Sequence, residues 1–219
     1  MNRSVLSLVI MLWMSPAINA QQSKPPAKPD HMEHRFDDPA SLAKSFDDPA
    51  RDAWQMPDRV IGALELKPGM SVADIGAGTG YFAMRLAAVS PSLTVYAADI
   101  EPKMVDYLKS RAAAEKRGNV VAVLAAMDSP HLPQPVDVVL VVDTYHHIAN
   151  RPTYFATLRK SLKPGGRVAI VDFRKDAPEG PPAHFRFTPA QIEEEMRQAG
   201  YTVAASHDFL PRQHFIVFR

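Results

Sequence analysis

The chain of 219 residues has no cysteine. That absence excludes a disulfide framework, a Cys-ligated zinc or iron–sulfur centre, a thiol nucleophile and lipid attachment through a thiol. Charge of one sign is missing too. The 25 Lys and Arg residues stand against 24 Asp and Glu, for a formal net charge of +1. Such a balance favours neither a nucleic acid nor an anionic membrane. No apolar run is long enough for a spanning helix. The stretch at 5–14 would cover about 15 Å as a helix, against a hydrocarbon core of about 30 Å. What is there, 46% hydrophobic and 22% charged residues, describes a chain that folds and buries one ordinary core.

Proline is abundant and unevenly placed. Of its 20 copies, seven lie in the first 57 residues, which marks a non-globular lead-in. Residues 1–20 read as an export signal: Asn2 and Arg3 form a basic start, 5–14 an apolar stretch, and 17–20 a small-residue cleavage region. The reading implies a periplasmic or secreted protein with no stable membrane span once the signal is cleaved. The alternatives are an uncleaved anchor, or a cytoplasmic form starting at Met32. Residues 21–50 read as a Pro-rich linker and lead-in, within which FDDPA occurs twice, at 36–40 and 46–50. Each Asp-Asp-Pro suits a turn or a helix start. His31, Glu33 and His34 read as a solvated tail rather than metal ligands.

From 51 to 219 helices and strands alternate. Strands are expected at 71–75, 94–98, 120–125, 136–142 and 167–173, with a final pair at 201–208 and 214–218. Helices are expected at 57–65, 80–89, 101–117, 152–162 and 188–199. The run 136–142 (VDVVLVV) is β-branched and apolar on both faces. Such alternation implies an α/β, doubly wound parallel sheet covered on both faces. Ligands of such sheets lie at the carboxyl ends of the strands.

The first strand is followed by Asp74-Ile75-Gly76-Ala77-Gly78-Thr79-Gly80-Tyr81. The spacing is GxGxG. Tyr81 takes the third glycine position of the dinucleotide fingerprint, which argues against a nicotinamide or flavin enzyme. No Lys-Ser/Thr follows, so it is not a phosphate-binding P-loop. Gly76 and Gly78 allow close approach of a ligand, and Gly80 lets the next helix pack near the strand. Asp99 follows the second strand and suits the vicinal hydroxyls of a ribose. Asp128 follows the third and suits an exocyclic amine, with Met127 against a flat ring.

The segments VADIGAGTGYF (72–82), AADIEPKM (97–104), MDSPHLP (127–133), DVVLVVDTYHHI (137–148) and LKPGGRVAIVDF (162–173) together resemble class I S-adenosylmethionine-dependent methyltransferases. The nearest branch is the small-molecule one that includes quinone-biosynthesis methyltransferases. The resemblance spans roughly 55–218. It implies a Rossmann-like sheet of seven strands in the order 3-2-1-4-5-7-6, with strand 7 antiparallel, and S-adenosyl-L-methionine as cofactor. Asp74, Gly76, Ala77, Gly78 and Gly80 would line its methionine end, Asp99 would hold the ribose, Ile100 and Met127 would flank the adenine, and Asp128 would bind the adenine amine. Asp143 would lie near the sulfonium and the acceptor.

His146 and His147, with Asp143, are the candidate catalytic residues. They follow the fourth strand, and a neutral imidazole can take a proton from an acceptor hydroxyl. A structural role for the His pair is the alternative, because methyl transfer requires mainly in-line positioning. Asp143 and Asp172 end adjacent strands, as in magnesium-dependent relatives, but Phe173 stands where a third oxygen ligand is needed, so no metal is expected. The segment 174–187 reads as a lid whose His184, Phe185, Arg186 and Phe187 offer contacts. Arg212 and His214 are further candidates for the pocket. The sequence names no acceptor beyond a small molecule, carries no sign of a nucleic-acid partner and does not disclose the oligomeric state. An exported binding protein of the same fold without turnover is the competing function.

Overall fold

The computed structural model describes residues 38–219. The export signal, the Met32 start and the histidines of the lead-in lie outside the described residues. Seven strands form one sheet: β1 (Ser71–Ile75), β2 (Thr94–Asp99), β3 (Val120–Leu124), β4 (Val136–Val142), β5 (Leu162–Phe173), β6 (Val203–His207) and β7 (Gln213–Phe218). Their order is β3-β2-β1-β4-β5-β7-β6. β7 runs antiparallel to both of its neighbours, and the other pairs are parallel. This is the sheet implied by the resemblance.

Every residue of β1 is buried, as expected for a central parallel strand covered on both faces. Successive side chains alternate between two apolar layers. Val72, Val95, Leu140 and Val171 face the helices α3 (Pro57–Ala63), α4 (Tyr81–Val89) and α5 (Pro102–Ala114). Ala73, Tyr96, Val141 and Ile170 face α6 (Arg151–Leu158) and α7 (Pro189–Gln198), around Phe155, Ile192 and Met196. Thr188 and Gln191 form a reciprocal capping box that starts α7.

The expected elements are present with shifted ends. β5 begins at Leu162 rather than 167. Leu162 pairs with Val136, and pairing resumes at Arg167 opposite Val138 after a bulge at Pro164-Gly165-Gly166. A Pro-Gly-Gly run hides the early pairing from a periodicity argument. The described part of the lead-in is helical. Asp38 caps α1 (Pro39–Phe46) by accepting from Ser41 N at 3.2 Å. Asp48 accepts from Ala50 N at 2.9 Å and starts a 3-10 turn, Pro49–Arg51. A short helix α2 (Asp52–Gln55) follows. Both Asp-Asp-Pro sites therefore start helices. No described helix is long and apolar enough to cross a membrane.

Candidate active site

A cavity of about 820 Å³ opens at the carboxyl ends of the strands, near the upper end of the roughly 300–1,000 Å³ usual for ligand pockets. The glycine loop forms its floor. Gly76 N and Ala77 N both donate to Ala98 O, at 2.8 and 3.0 Å, which ties the loop to the end of β2. Gly76 takes a left-handed φ of +71° and lies flat against Thr144, so a Cβ there would be driven into the Thr144 side chain. Gly78 N donates to Asp99 Oδ2 at 2.9 Å, and Glu101 N donates to Asp99 Oδ1 at 3.0 Å. The Asp99 carboxylate thus anchors loop and strand end together. The carboxylate keeps acceptor capacity for a ligand hydroxyl.

Burial lifts the carboxyls of this floor. Asp74 is pushed up to about 7, mainly by burial, with the Arg51 guanidinium pulling down and the Asp99 charge pushing up. Burial also raises Asp99. The far side of the floor is apolar. Ile100 and Met127 line the cavity and are 45% and 56% exposed, so their apolar side chains are open to a flat ligand.

The β4–β5 side carries the other carboxylates. Asp143, in a left-handed turn at φ +52°, accepts from Arg51 Nη2 at 3.2 Å, from Gln55 Nε2 at 2.9 Å and from Gln213 Nε2. Burial raises its pKa against the pull of Arg51. His146 is buried, and its Nδ1 lies 2.9 Å from Asp172 Oδ1. Its own amide donates to Asp172 Oδ2 at 3.2 Å. Burial opposes charge on this imidazole, but the Asp172 and Asp143 carboxylates outweigh it and raise its pKa. With Nδ1 turned to Asp172, Nε2 is the nitrogen left to the cavity that His146 lines. His147 lines the cavity as well, its ring centroid 4.3 Å from that of His146.

The cavity therefore gathers Asp74, Gly76, Ala77, Gly78, Asp99, Ile100, Met127, Asp143, His146 and His147. It does not gather all the expected residues. Gly80 stands behind the wall at φ +95°, where a Cβ would sit 2.8 Å from Leu108 Cδ2; its part is the close packing of α4. Asp128 is exposed and outside the lining, and its charge reaches the buried Tyr154 hydroxyl instead. The segment 174–187 contributes only Gly180 and Pro181. Arg186 is committed to the carbonyls of Pro181 and Ala177, both at 2.6 Å. Phe187 packs under the Arg151 guanidinium and edge-on to Tyr145. Arg212 pairs with Glu179 at 2.9 Å, and His214 sits in register with Asp172 on β7 without lining the cavity.

The residues that sequence reasoning missed come from the lead-in and from the end of the chain. Phe46 packs on Gly78, and Asp47 pairs with Arg111 at 2.8 Å. The Tyr81 hydroxyl donates to Asp52, and its ring lies 4.2 Å from the Arg51 guanidinium. The side chain at the third glycine position thus docks α2. The repeated FDDPA and the Trp54-Gln55 pair were the available signals. Nothing local marks Gln213.

The family of methyltransferase domains matches residues 66–210, and the chain belongs to it. A solved S-adenosylmethionine-dependent methyltransferase from Aquifex aeolicus superposes with a TM-score of 0.76 at 26% identity, covering 84% of this chain and 98% of that one. Among curated proteins, 27-O-demethylrifamycin SV methyltransferase of Amycolatopsis mediterranei is 34% identical over 54% of this chain and 44% of its own. Ubiquinone/menaquinone biosynthesis C-methyltransferase UbiE of Bordetella avium is 32% identical over 57% and 49%. The chain spans about half the length of these curated relatives.

The residues present fit S-adenosylmethionine on three observations. The exposed pair Ile100 and Met127 suits a purine, Asp99 keeps acceptor capacity for ribose hydroxyls, and Thr79 Oγ1 is buried at the cavity without a hydrogen-bond partner.

Proposed function

We propose that the chain transfers a methyl group from S-adenosylmethionine to a small-molecule acceptor. The observation that carries this reading is one cavity with carboxylates Asp74 and Asp99 at its β1–β2 side and the His146–Asp172 pair at its β4–β5 side. When bound, the cofactor supplies a methyl carbon activated by a sulfonium. Asp99 holds the ribose hydroxyls, Ile100 and Met127 cover the adenine, and Asp74 with the glycine loop takes the methionine end. Asp143, held by three donors, keeps a fixed carboxylate near the positive charge. Asp172 accepts from Nδ1 and so leaves the Nε2 lone pair of His146 available as a general base. His147 shapes the wall beside it.

Calorimetry with S-adenosylmethionine tests the reading, and no binding by the wild-type chain would sink it. Asp99→Ala removes hydrogen bonds to a charged acceptor, each worth about 1.5–3 kcal/mol. It should weaken cofactor binding by roughly tenfold or more.

We also propose that the protein acts outside the cytoplasm, on the basic, apolar, small-residue order of residues 1–20. That order also keeps alive the second reading, an exported binder without turnover. Transfer of labelled methyl groups into any fraction of a cell extract would eliminate the second reading.

A further inference from the structure

We propose that the acceptor is an uncharged aromatic molecule bearing a hydroxyl group, seated against the Trp54–Phe173 ring pair and within reach of His146. The inference rests on the methyltransferase reading and adds the chemistry of its second substrate.

The wall comes from two distant segments. Trp54 of α2 and Phe173 at the end of β5 have ring centroids 5.8 Å apart. Gly180, at φ +121°, lies on the Phe173 ring, where a Cβ would fall 2.6 Å from Cδ1. The lid segment thus covers the ring without putting a side chain between it and the cavity. Pro181 and Ile148 extend the apolar lining. Two such rings, tilted 39° to one another, favour aromatic guests, which gain from offset or edge-on ring contacts.

Charge narrows the class. Asp74, Asp99, Glu101 and Asp143 line the cavity, whereas Arg51 is the sole Lys or Arg lining it among the described residues. Arg51 is committed: it donates to Asp143 at 3.2 Å, to Phe46 O at 2.7 Å and to the Gln55 amide oxygen. The arginines of the lid side are committed as well, Arg186 to backbone carbonyls and Arg174 to Asp176. An anionic acceptor would meet these acidic side chains and no uncommitted Lys or Arg. A cationic acceptor would find the Trp54 ring already paired with a cation, the Arg212 guanidinium 5.1 Å from its centre and held there by Glu179. A neutral guest avoids both costs.

The hydroxyl is the acceptor group matched to His146, which lines the same cavity with Nδ1 held by Asp172. Its Nε2 takes the hydroxyl proton while the oxygen lone pair forms the new bond to the methyl carbon. The carbon–sulfur bond breaks with its electron pair on sulfur, so the sulfonium becomes a neutral thioether. The proton on His146 then passes to solvent.

The test is calorimetry on the full chain saturated with S-adenosylhomocysteine, using the matched probes p-cresol, p-toluate and 4-methylbenzylamine. The expected result is p-cresol binding at least about tenfold tighter than either charged probe. Trp54→Ala should weaken p-cresol about tenfold, Trp54→Phe should largely keep it, and neither should change the affinity for S-adenosylhomocysteine. Equal or tighter binding of a charged probe, or no binding of p-cresol to the loaded protein, overturns the proposal while leaving the methyltransferase reading standing. Failure of S-adenosylhomocysteine itself to bind defeats both.

Discussion

Burial holds the Asp74 carboxyl up to about 7, so much of its charge is missing at neutral pH until a cation arrives. A cationic cofactor favours the ionised form. Its affinity should therefore fall as pH drops below about 7, by up to about tenfold per pH unit, and Asp74→Asn should flatten that dependence in calorimetry. The same shift affects folding. The folded-state value lies above the ordinary 3.8, so this group's contribution to stability is full at low pH and is lost as pH rises from about 4 to about 7. His146 shows the other case. Its pKa is raised by Asp172 and Asp143, and a base must be unprotonated, so activity should decline as pH falls through that raised value. Asp172→Asn removes a negative partner. It should lower kcat and shift the acid limb of kcat/KM to lower pH, a movement that loss of fold alone does not produce.

The elements around the cavity differ in what holds them. α7 starts with side-chain bonds made within four residues, so Thr188→Ala should cost about 1 kcal/mol in chemical denaturation and leave cofactor affinity alone. α2 is only four residues long and cannot stand on propensity. It is held by Arg51 to Asp143, by Asp52 to Tyr81 and Arg85, and by Gln55 to Gln213. Arg51→Ala removes the guanidinium paired with the half-buried Asp143. With the pair partly solvated, at 15% and 20% side-chain exposure, a loss of about 1–3 kcal/mol is expected, below the value for fully buried pairs. The Asp-Asp-Pro starts of this region were legible because capping is local. The destinations of Arg51 and Gln55 were not, because a side chain's distant partner leaves no mark on its neighbours.

At the scale of the molecule, one sheet separates two apolar layers, and the cavity sits where the strands end between them. Phe155, a residue of α6 fully buried against the sheet, is remote from the glycine loop in sequence. Phe155→Ala should cost about 3–5 kcal/mol, measured as a shift of the denaturant midpoint.

By itself the sequence determined the strand–helix alternation, the glycine loop and Asp99, because period, φ requirement and strand-end position are all written within a few residues. It also determined the absences, no thiol chemistry and no bulk charge. The tertiary structure alone decided that Asp172 holds His146, that Gln55 and Gln213, 158 positions apart, meet at Asp143, and that Asp128 and Gly80 stand outside the cavity lining. Those outcomes depend on which strand ends become neighbours, which is set by the packing of both layers and not by any local pattern.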